Sequence, residues 1–144
     1  MLANQIKNEG ILRNLISLNN LVQSEIEFLL DKLPINYSEF SILMYISQSN
    51  ITQYMISKKY HISVQRVNQI INKLEKYGYV KKIDEIKNGR IGKRLIIDLK
   101  IEKQLDEINN GLIEIFKNKN IDYENLIIFN NTLKIFLNNL RDQG

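Results

Sequence analysis

The chain has 144 residues, with no cysteine, one histidine, a net charge of +4 and a hydrophobic share of 44%. This length is typical of a single domain that can bury its own core, and the composition is that of an ordinary globular protein. Without cysteine, and with a single histidine, the chain cannot build disulfide frameworks, thiol nucleophiles, thiol-based sensors or structural zinc sites.

The apolar runs are only a few residues long, and the first residues lack the apolar stretch of a signal peptide. We therefore expect a cytoplasmic protein with no membrane segment. No Ser-His-Asp set, phosphate-binding glycine loop or paired carboxylates can be found in the sequence, so we expect neither an enzyme nor a cofactor.

The first predicted element is a long amphipathic helix over residues 3–31, in which apolar residues recur at three- and four-residue steps. Pro34 ends this helix, because proline disfavours helical geometry in the residue before it. Asn36, followed three residues later by Glu39, predicts a capping box that opens a second helix over residues 37–48. The expected inward face of the second helix is Phe40, Leu43, Met44 and Ser47.

Two short helices separated by a tight turn come next. Thr52 is the predicted N-cap of a third helix over residues 53–60, and Ser63 is that of a fourth. Gly78 is the predicted C-terminal stop of the fourth helix. The positions expected to be buried are Met55, Ile56 and Tyr60 in the third helix and Val67, Ile70, Ile71, Leu74 and Tyr77 in the fourth.

A β-hairpin is predicted after the fourth helix, with strands from Tyr79 to Lys87 and from Arg90 to Leu99. Both segments are rich in isoleucine and valine, and Asn88-Gly89 between them is typical of a two-residue hairpin turn. A continuous ladder would place Ile83 opposite Arg94. We expect instead a bulge at Gly92, which would pair Ile83 with Leu95 and Tyr79 with Leu99.

Two further helices are predicted at the C-terminal end, one after Leu99 and one capped by Asp122. Their apolar stripes, and that of the first helix, exceed what one small winged domain can cover, which favours a homodimer. The predicted fold class is mainly α with a small β-hairpin wing: a winged helix-turn-helix domain flanked by N- and C-terminal dimerisation helices. Within a single domain over 1–144, residues 36–99 are the predicted DNA-binding core, and residues 1–33 and 100–144 are the predicted helical dimerisation region.

The basic charge is concentrated in one segment. From Thr52 to Arg94 there are eleven lysines and arginines against three acids, a net charge of +8, and the remaining residues carry −4. Such a concentration within a helix-turn-helix pattern indicates a surface that contacts nucleic acid. Glutamine and asparagine can bind adenine edges, arginine binds guanine, and lysine reaches phosphates. The predicted DNA-binding residues are Thr52, Ser63, Gln65, Arg66, Asn68, Gln69, Asn72, Lys73, Lys87, Arg90, Lys93 and Arg94.

Alternative interpretations remain open at several of these residues. The lysines taken singly could merely solvate helix faces, and a winged helix can also serve as a protein-interaction module that never touches DNA. The +8 segment argues against that module. His61 is expected to be a turn or phosphate-facing residue rather than a metal ligand. Four tyrosines could stack on single-stranded bases, but their spacing favours core or interface packing: Tyr54, Tyr60, Tyr77 and Tyr79.

The run from Asn36 to Leu99 resembles the winged-helix core of MarR-type transcriptional regulators. The most specific match is the string Val67-x-x-Ile70-Ile71-x-Lys73-Leu74-Glu75-x-x-Gly78-Tyr79-Val80, which is similar to the family's segment ending in Leu-Glu-x-x-Gly-Leu-Val. Shorter matches are Asn36-x-x-Glu39-Phe40, Thr52-Gln53 and Ile62-Ser63. The flanking helices match in order and length.

The resemblance implies a homodimer whose two winged domains bind a palindromic operator in double-stranded DNA, a repressor role, and room for a small-molecule effector between the winged and dimerisation regions. It also implies that Ser63, Gln65, Arg66, Asn68 and Gln69 meet the major groove. The wing departs from the family's Asp-x-Arg-Asp-x-Arg type of motif, because residues 87–94 lack the bracing aspartates. Arg90 is the predicted minor-groove residue, with Lys87 as the second candidate.

Overall fold

The computed structural model describes residues 10–142, with the backbone alone for residues 87, 90, 91, 141 and 142. The described elements are, in chain order, α1 (Ile11–Leu29), a 3-10 turn (Leu30–Lys32), α2 (Tyr37–Ile46), β1 (Ile51–Thr52), α3 (Gln53–Tyr60), α4 (Val64–Lys76), β2 (Val80–Lys87), β3 (Arg90–Ile97), α5 (Leu99–Asn118) and α6 (Tyr123–Asp142). The three strands form one antiparallel sheet in the order β1-β3-β2. The mainly α, winged helix-turn-helix fold class is confirmed.

The chain divides into two compact units, one ending at Ile108 and the other beginning at Asn109, within α5. The first unit contains the helix-turn-helix and the wing. Its core is made of side chains from α2, α3, α4 and the sheet that are almost completely buried: Leu43, Ile46, Ile56, Ile71, Leu74 and Leu95. Across residues 10–142, no helix is long and apolar enough to cross a membrane. The predicted start of the first helix, over residues 3–9, lies outside the described residues.

Side-chain caps define the starts of the helices where the sequence predicts them. Asn36 Oδ1 accepts the backbone N–H of Glu39, and Glu39 Oε1 accepts that of Asn36, both at 2.9 Å, which completes the capping box. Ser63 Oγ accepts the N–H of Arg66 at 3.0 Å, and Asp122 Oδ1 accepts that of Asn125 at 2.8 Å. The boundaries of α4 and α6 therefore follow from local hydrogen bonding.

Gly78 ends α4 as predicted. Its φ of +77° lies in the left-handed region, and the N–H of Tyr79 donates to the carbonyl of Leu74 at 2.9 Å. This six-residue closure is the Schellman motif, which satisfies a carbonyl at the helix end and turns the chain into β2.

Several predicted burial positions are wrong. Met44, Met55 and Tyr77 are exposed, and Ser47 is an exposed residue beyond the end of α2. On α2 the buried side chains include Ile42 and Ile46, so the inward face is rotated from the expected one. The helix ends two residues early because the left-handed residues Ser49 and Asn50 turn the chain into β1.

The predicted bulge at Gly92 is also wrong. The β2–β3 ladder is continuous, with Ile83 opposite Arg94 and Gly92 opposite Glu85. This register places Lys82, rather than an apolar residue, opposite the buried Leu95. Lysine is accommodated because a long side chain can cover apolar surface while its ammonium stays among polar partners, and Lys82 Nζ donates to Asn72 Oδ1 on α4 at 2.8 Å.

The turn of the hairpin was predicted correctly, whereas the pairing at its open end was not. Asn88 and Gly89 both have positive φ, as a type I′ turn requires, and Lys87 pairs with Arg90 across this two-residue turn. At the other end Tyr79 does not pair with Leu99. Its carbonyl instead accepts the N–H of Asp98 at 3.0 Å, just outside the strands.

Candidate nucleic-acid interface

The exposed face of α4 carries the predicted base-reading residues. Val67, Ile70, Ile71 and Leu74 are buried on one side of the helix, which leaves the opposite side to solvent. The side chains on that exposed side are Gln65, Arg66, Asn68 and Gln69. Arg66 Nη1 donates to Gln69 Oε1 at 3.3 Å, so two of these groups lie side by side. This face therefore presents guanidinium and amide groups together.

Thr52 and Ser63 each have a structural role at a helix start. Thr52 Oγ1 accepts the N–H of Met55 at 3.3 Å, and Ser63 Oγ accepts that of Arg66. Each hydroxyl hydrogen is still free to donate, because an N-cap oxygen acts as an acceptor. Both residues can therefore cap a helix and donate to a phosphate oxygen.

Three predicted contact residues are engaged with other parts of the protein. Asn72 Oδ1 accepts from Lys82, and Lys73 Nζ lies 2.8 Å from Glu39 Oε2. Arg94 Nη1 donates to Asn50 Oδ1 at 3.2 Å, while its buried Nε has no hydrogen-bond partner among the described residues. These side chains connect α4 and the wing to the rest of the first unit.

The tip of the wing is described only in part. Lys93 is exposed, and the backbones of Lys87 and Arg90 face each other across the turn. The side chains of Lys87 and Arg90 lie outside the described residues, so their minor-groove role stays a prediction. Ile86, beside the turn, is 78% exposed. Ile86 is not among the predicted contact residues, although an apolar residue next to a hairpin turn, paired with Ile91, is a signal that the sequence carries.

The lysines of α3 lie over tyrosine rings. Lys58 Nζ is 5.2 Å from the ring centroid of Tyr54, and Lys59 Nζ is 4.6 Å from that of Tyr45. Tyr60 packs edge-on against Tyr45 and donates its hydroxyl to the carbonyl of Ser41 at 3.0 Å. Burial raises the pKa of Tyr60, so the phenol stays protonated and holds α3 against α2.

Burial and backbone conformation describe the other three predicted tyrosines and His61. Tyr79 is buried and stacks on Tyr77, whereas Tyr54 and Tyr77 are exposed. His61 takes a left-handed conformation that ends α3, with its N–H bonded to Ser57, so it is a turn residue. Within the described part of the chain, no three histidine or acidic side chains are grouped to hold a metal ion.

A cavity of about 460 Å³ lies between the C-terminal end of α1 and the first half of α5. Its walls include Phe28, Leu33 and Ile108, with Glu107 and Gln104 as polar side chains. Gln104 Oε1 is buried and has no hydrogen-bond partner among residues 10–142. An unpaired buried amide oxygen is costly, which makes it an available acceptor for a donor group placed in the cavity.

Comparison with known proteins identifies the winged-helix region. Residues 33–91 match the sequence profile of the MarR family, which confirms the resemblance stated above. None of the curated proteins compared matches the sequence.

The fold is also that of several solved structures. A MarR transcriptional regulator from Methanosarcina mazei is 24% identical, with 92% of this chain and 98% of that chain covered and a TM-score of 0.69. The transcriptional regulator BldR from Sulfolobus solfataricus is 23% identical, with 93% and 96% covered and a TM-score of 0.65. Streptococcus pneumoniae FabT, solved in complex with DNA, is 19% identical, with 95% and 99% covered and a TM-score of 0.66.

Proposed function

We propose that the chain, whose residues 33–91 match the MarR family of transcriptional regulators, is a homodimeric repressor that binds a palindromic operator in double-stranded DNA. The observation that supports this most is the exposed face of α4. It offers Arg66 for guanine and Gln65, Asn68 and Gln69 for adenine, and the only carboxylate on α4, Glu75, lies in its last turn. Such a regulator would work in the cytoplasm, alongside the DNA it binds.

Phosphate contacts would come from exposed basic residues around α4. Lys58 and Lys59 lie in the last turn of α3, and Lys93 lies on the wing. Thr52 and Ser63 would add hydroxyl donors at the starts of α3 and α4, while Arg90 or Lys87 would enter the minor groove from the wing tip. Backbone contacts of this kind fix the register in which α4 meets the bases.

The homodimer is supported by apolar side chains that the isolated chain leaves in solvent. On α1 these include Leu12 and Phe28, and on α6 they include Ile128 and Ile135. Exposed apolar surface of this extent is typical of an interface. A twofold dimer would present two α4 helices to successive major grooves, which is why a palindromic site is expected. Sedimentation at micromolar concentration should give the dimer mass, and a monomer would contradict this role for α1 and α6.

Selection from a random DNA library tests the operator. We expect an inverted repeat whose half-sites are centred about one helical turn, roughly 10 bp, or a multiple of it, apart. Binding to the selected duplex should weaken steeply as salt rises, because phosphate contacts release counterions. Failure to enrich any sequence, with no binding to duplex DNA at low salt, would refute the proposal and favour a protein-interaction module.

We also propose that a small-molecule effector occupies the cavity between α1 and α5. A phenolic hydroxyl could donate to the unpaired Gln104 Oε1 while its ring contacts Phe28 and Ile108. A panel of simple phenols should therefore raise the melting temperature of the protein, and Gln104→Met, which keeps the side-chain volume, should reduce that shift. Equal shifts for both proteins would exclude Gln104 as the acceptor.

A further inference from the structure

Glu39 is a charged residue in the interior of the first unit, with 4% of its surface exposed. Its carboxylate lies at the start of α2, where Oε1 accepts the N–H of Asn36 as part of the capping box. The same carboxylate pairs with Lys73 on α4, whose Nζ lies 2.9 Å from Oε1 and 2.8 Å from Oε2. Glu39 is therefore bonded at once to its own helix and to the proposed reading helix.

This ion pair binds Lys73 to the interior of the protein. The lysine side chain is 41% exposed, but its ammonium lies against a carboxylate that is 5% exposed. Moving the ammonium to a DNA phosphate would leave a buried carboxylate without its counter-ion, which is strongly unfavourable. Lys73 is thus held back from the phosphate contacts that its position on α4 would otherwise allow.

Asn72, the residue before Lys73 on α4, is held by the wing. Lys82 of β2, 20% exposed, donates to Asn72 Oδ1 at 2.8 Å and lies 3.9 Å from Glu75 Oε1. The C-terminal half of α4 is therefore anchored to α2 through residue 73 and to the wing through residue 72. The N-terminal half carries the exposed Gln65, Arg66 and Gln69.

We propose that Glu39 is a positioning residue for base recognition: through Lys73 it fixes the orientation of α4, and it withholds Lys73 from the DNA backbone. This inference rests on the proposed function. It predicts an unusual effect of removing one carboxylate charge. The freed Lys73 should strengthen sequence-independent binding, while the less constrained α4 should discriminate less well between operator and other DNA.

The test measures the salt dependence of binding for the full-length protein on two duplexes, one selected from random DNA and a scrambled duplex of equal length and composition. Glu39→Gln removes the charge, and glutamine can still accept the Asn36 N–H because it is the alternative residue of the capping box. The slope of log K against log salt should become steeper by about 0.9 for each subunit bound, which equals one added phosphate contact. The ratio of selected to scrambled affinity should fall.

Lys73→Met is the matched control. It should leave the slope at the wild-type value, because the wild-type lysine contacts no phosphate. In the double variant Glu39→Gln/Lys73→Met, the steeper slope of Glu39→Gln should return to the wild-type value. A loss of packing alone would not steepen the slope, so this readout separates positioning from simple destabilisation. Urea unfolding of each variant confirms that it is folded at the assay temperature.

Two outcomes would overturn the inference alone: a Lys73→Met slope shallower by about 0.9 per subunit, or a Glu39→Gln protein with unchanged slope and unchanged ratio. A wild-type protein whose binding to both duplexes is weak and independent of salt would overturn the proposed function, and the inference with it. The two failures are therefore distinguishable in one experiment.

Discussion

Replacing Gly78 by alanine should weaken the junction between α4 and the wing. Gly78 has a φ of +77°, and a Cβ built on it meets no atom within 4 Å. The substitution therefore introduces backbone strain without a steric clash. The N–H of Tyr79 must still reach the carbonyl of Leu74 to close the end of α4, so the chain cannot relax by leaving the left-handed region without losing that hydrogen bond.

The size of the effect follows from two opposing terms. Placing an ordinary L-residue in the left-handed region costs roughly 1–2 kcal/mol. Alanine also restricts the unfolded chain relative to glycine, which favours folding by about 0.4–1 kcal/mol. The net loss for Gly78→Ala is therefore on the order of 1 kcal/mol. Gly78→Asn should lose less, because asparagine tolerates this conformation better than other side chains.

Gly92, in the hairpin that follows this junction, provides a matched control. It does not have a positive φ, and its added Cβ would meet only the Glu85 carbonyl oxygen at 3.9 Å. Gly92→Ala should therefore be neutral or stabilising by up to about 1 kcal/mol. Urea unfolding at one fixed protein concentration measures both variants, since the stability of a dimer depends on concentration. A Gly78→Ala protein as stable as the Gly92→Ala protein would refute the reasoning.

Three further changes test the caps and the proposed reading face. Ser63→Ala should destabilise the protein by about 1 kcal/mol in urea, because the N–H of Arg66 loses its cap, and Ser63→Asp should restore most of that loss. A bond from the N–H of Lys100, with Lys81 nearby, holds the pKa of Asp98 below its ordinary value of 3.8. Ionised Asp98 therefore stabilises the fold at pH values above 3.8. The free energy of unfolding of the wild-type protein should exceed that of Asp98→Asn there, and this excess should vanish as pH falls through the lowered pKa. An excess that is the same at pH 7 and pH 2 would contradict this. Arg66→Ala should cost about 1–3 kcal/mol of operator affinity and relax selection at one base position, whereas a uniform loss over all sequences would make Arg66 a phosphate contact.

The elements that depend on local chemistry were predictable from the sequence. Asn36 with Glu39, Ser63, Gly78 and Asn88-Gly89 each carry their own hydrogen-bonding or backbone signal, and each lies where it was expected. The α4 stripe was predictable for the same reason, since one helix face must be apolar to pack.

Features that depend on distant partners were not predictable. The two-residue strand β1 is too short to show a period, and it exists because Ile51 pairs with Leu95. The wing register was wrong because an apolar residue was expected opposite Leu95, where Lys82 is accommodated by Asn72 of another element. The ion pair between Lys73 and Glu39 was not predictable either, since nothing in the local sequence shows that the two residues lie side by side.

The short strand β1 joins the wing to the helix-turn-helix, so that neither can be exchanged without the other. Thr52 pairs with Arg94 of β3 and also caps α3, so one residue belongs to both the sheet and the first helix of the reading motif. Anyone transplanting this hairpin onto another regulator, or replacing it with a foreign one, would have to move residues 51 and 52 together with residues 79–98. A graft limited to the hairpin would separate β3 from β1, the strand that sets the starting point of α3. The wing and the helix-turn-helix would then lose their fixed relative orientation.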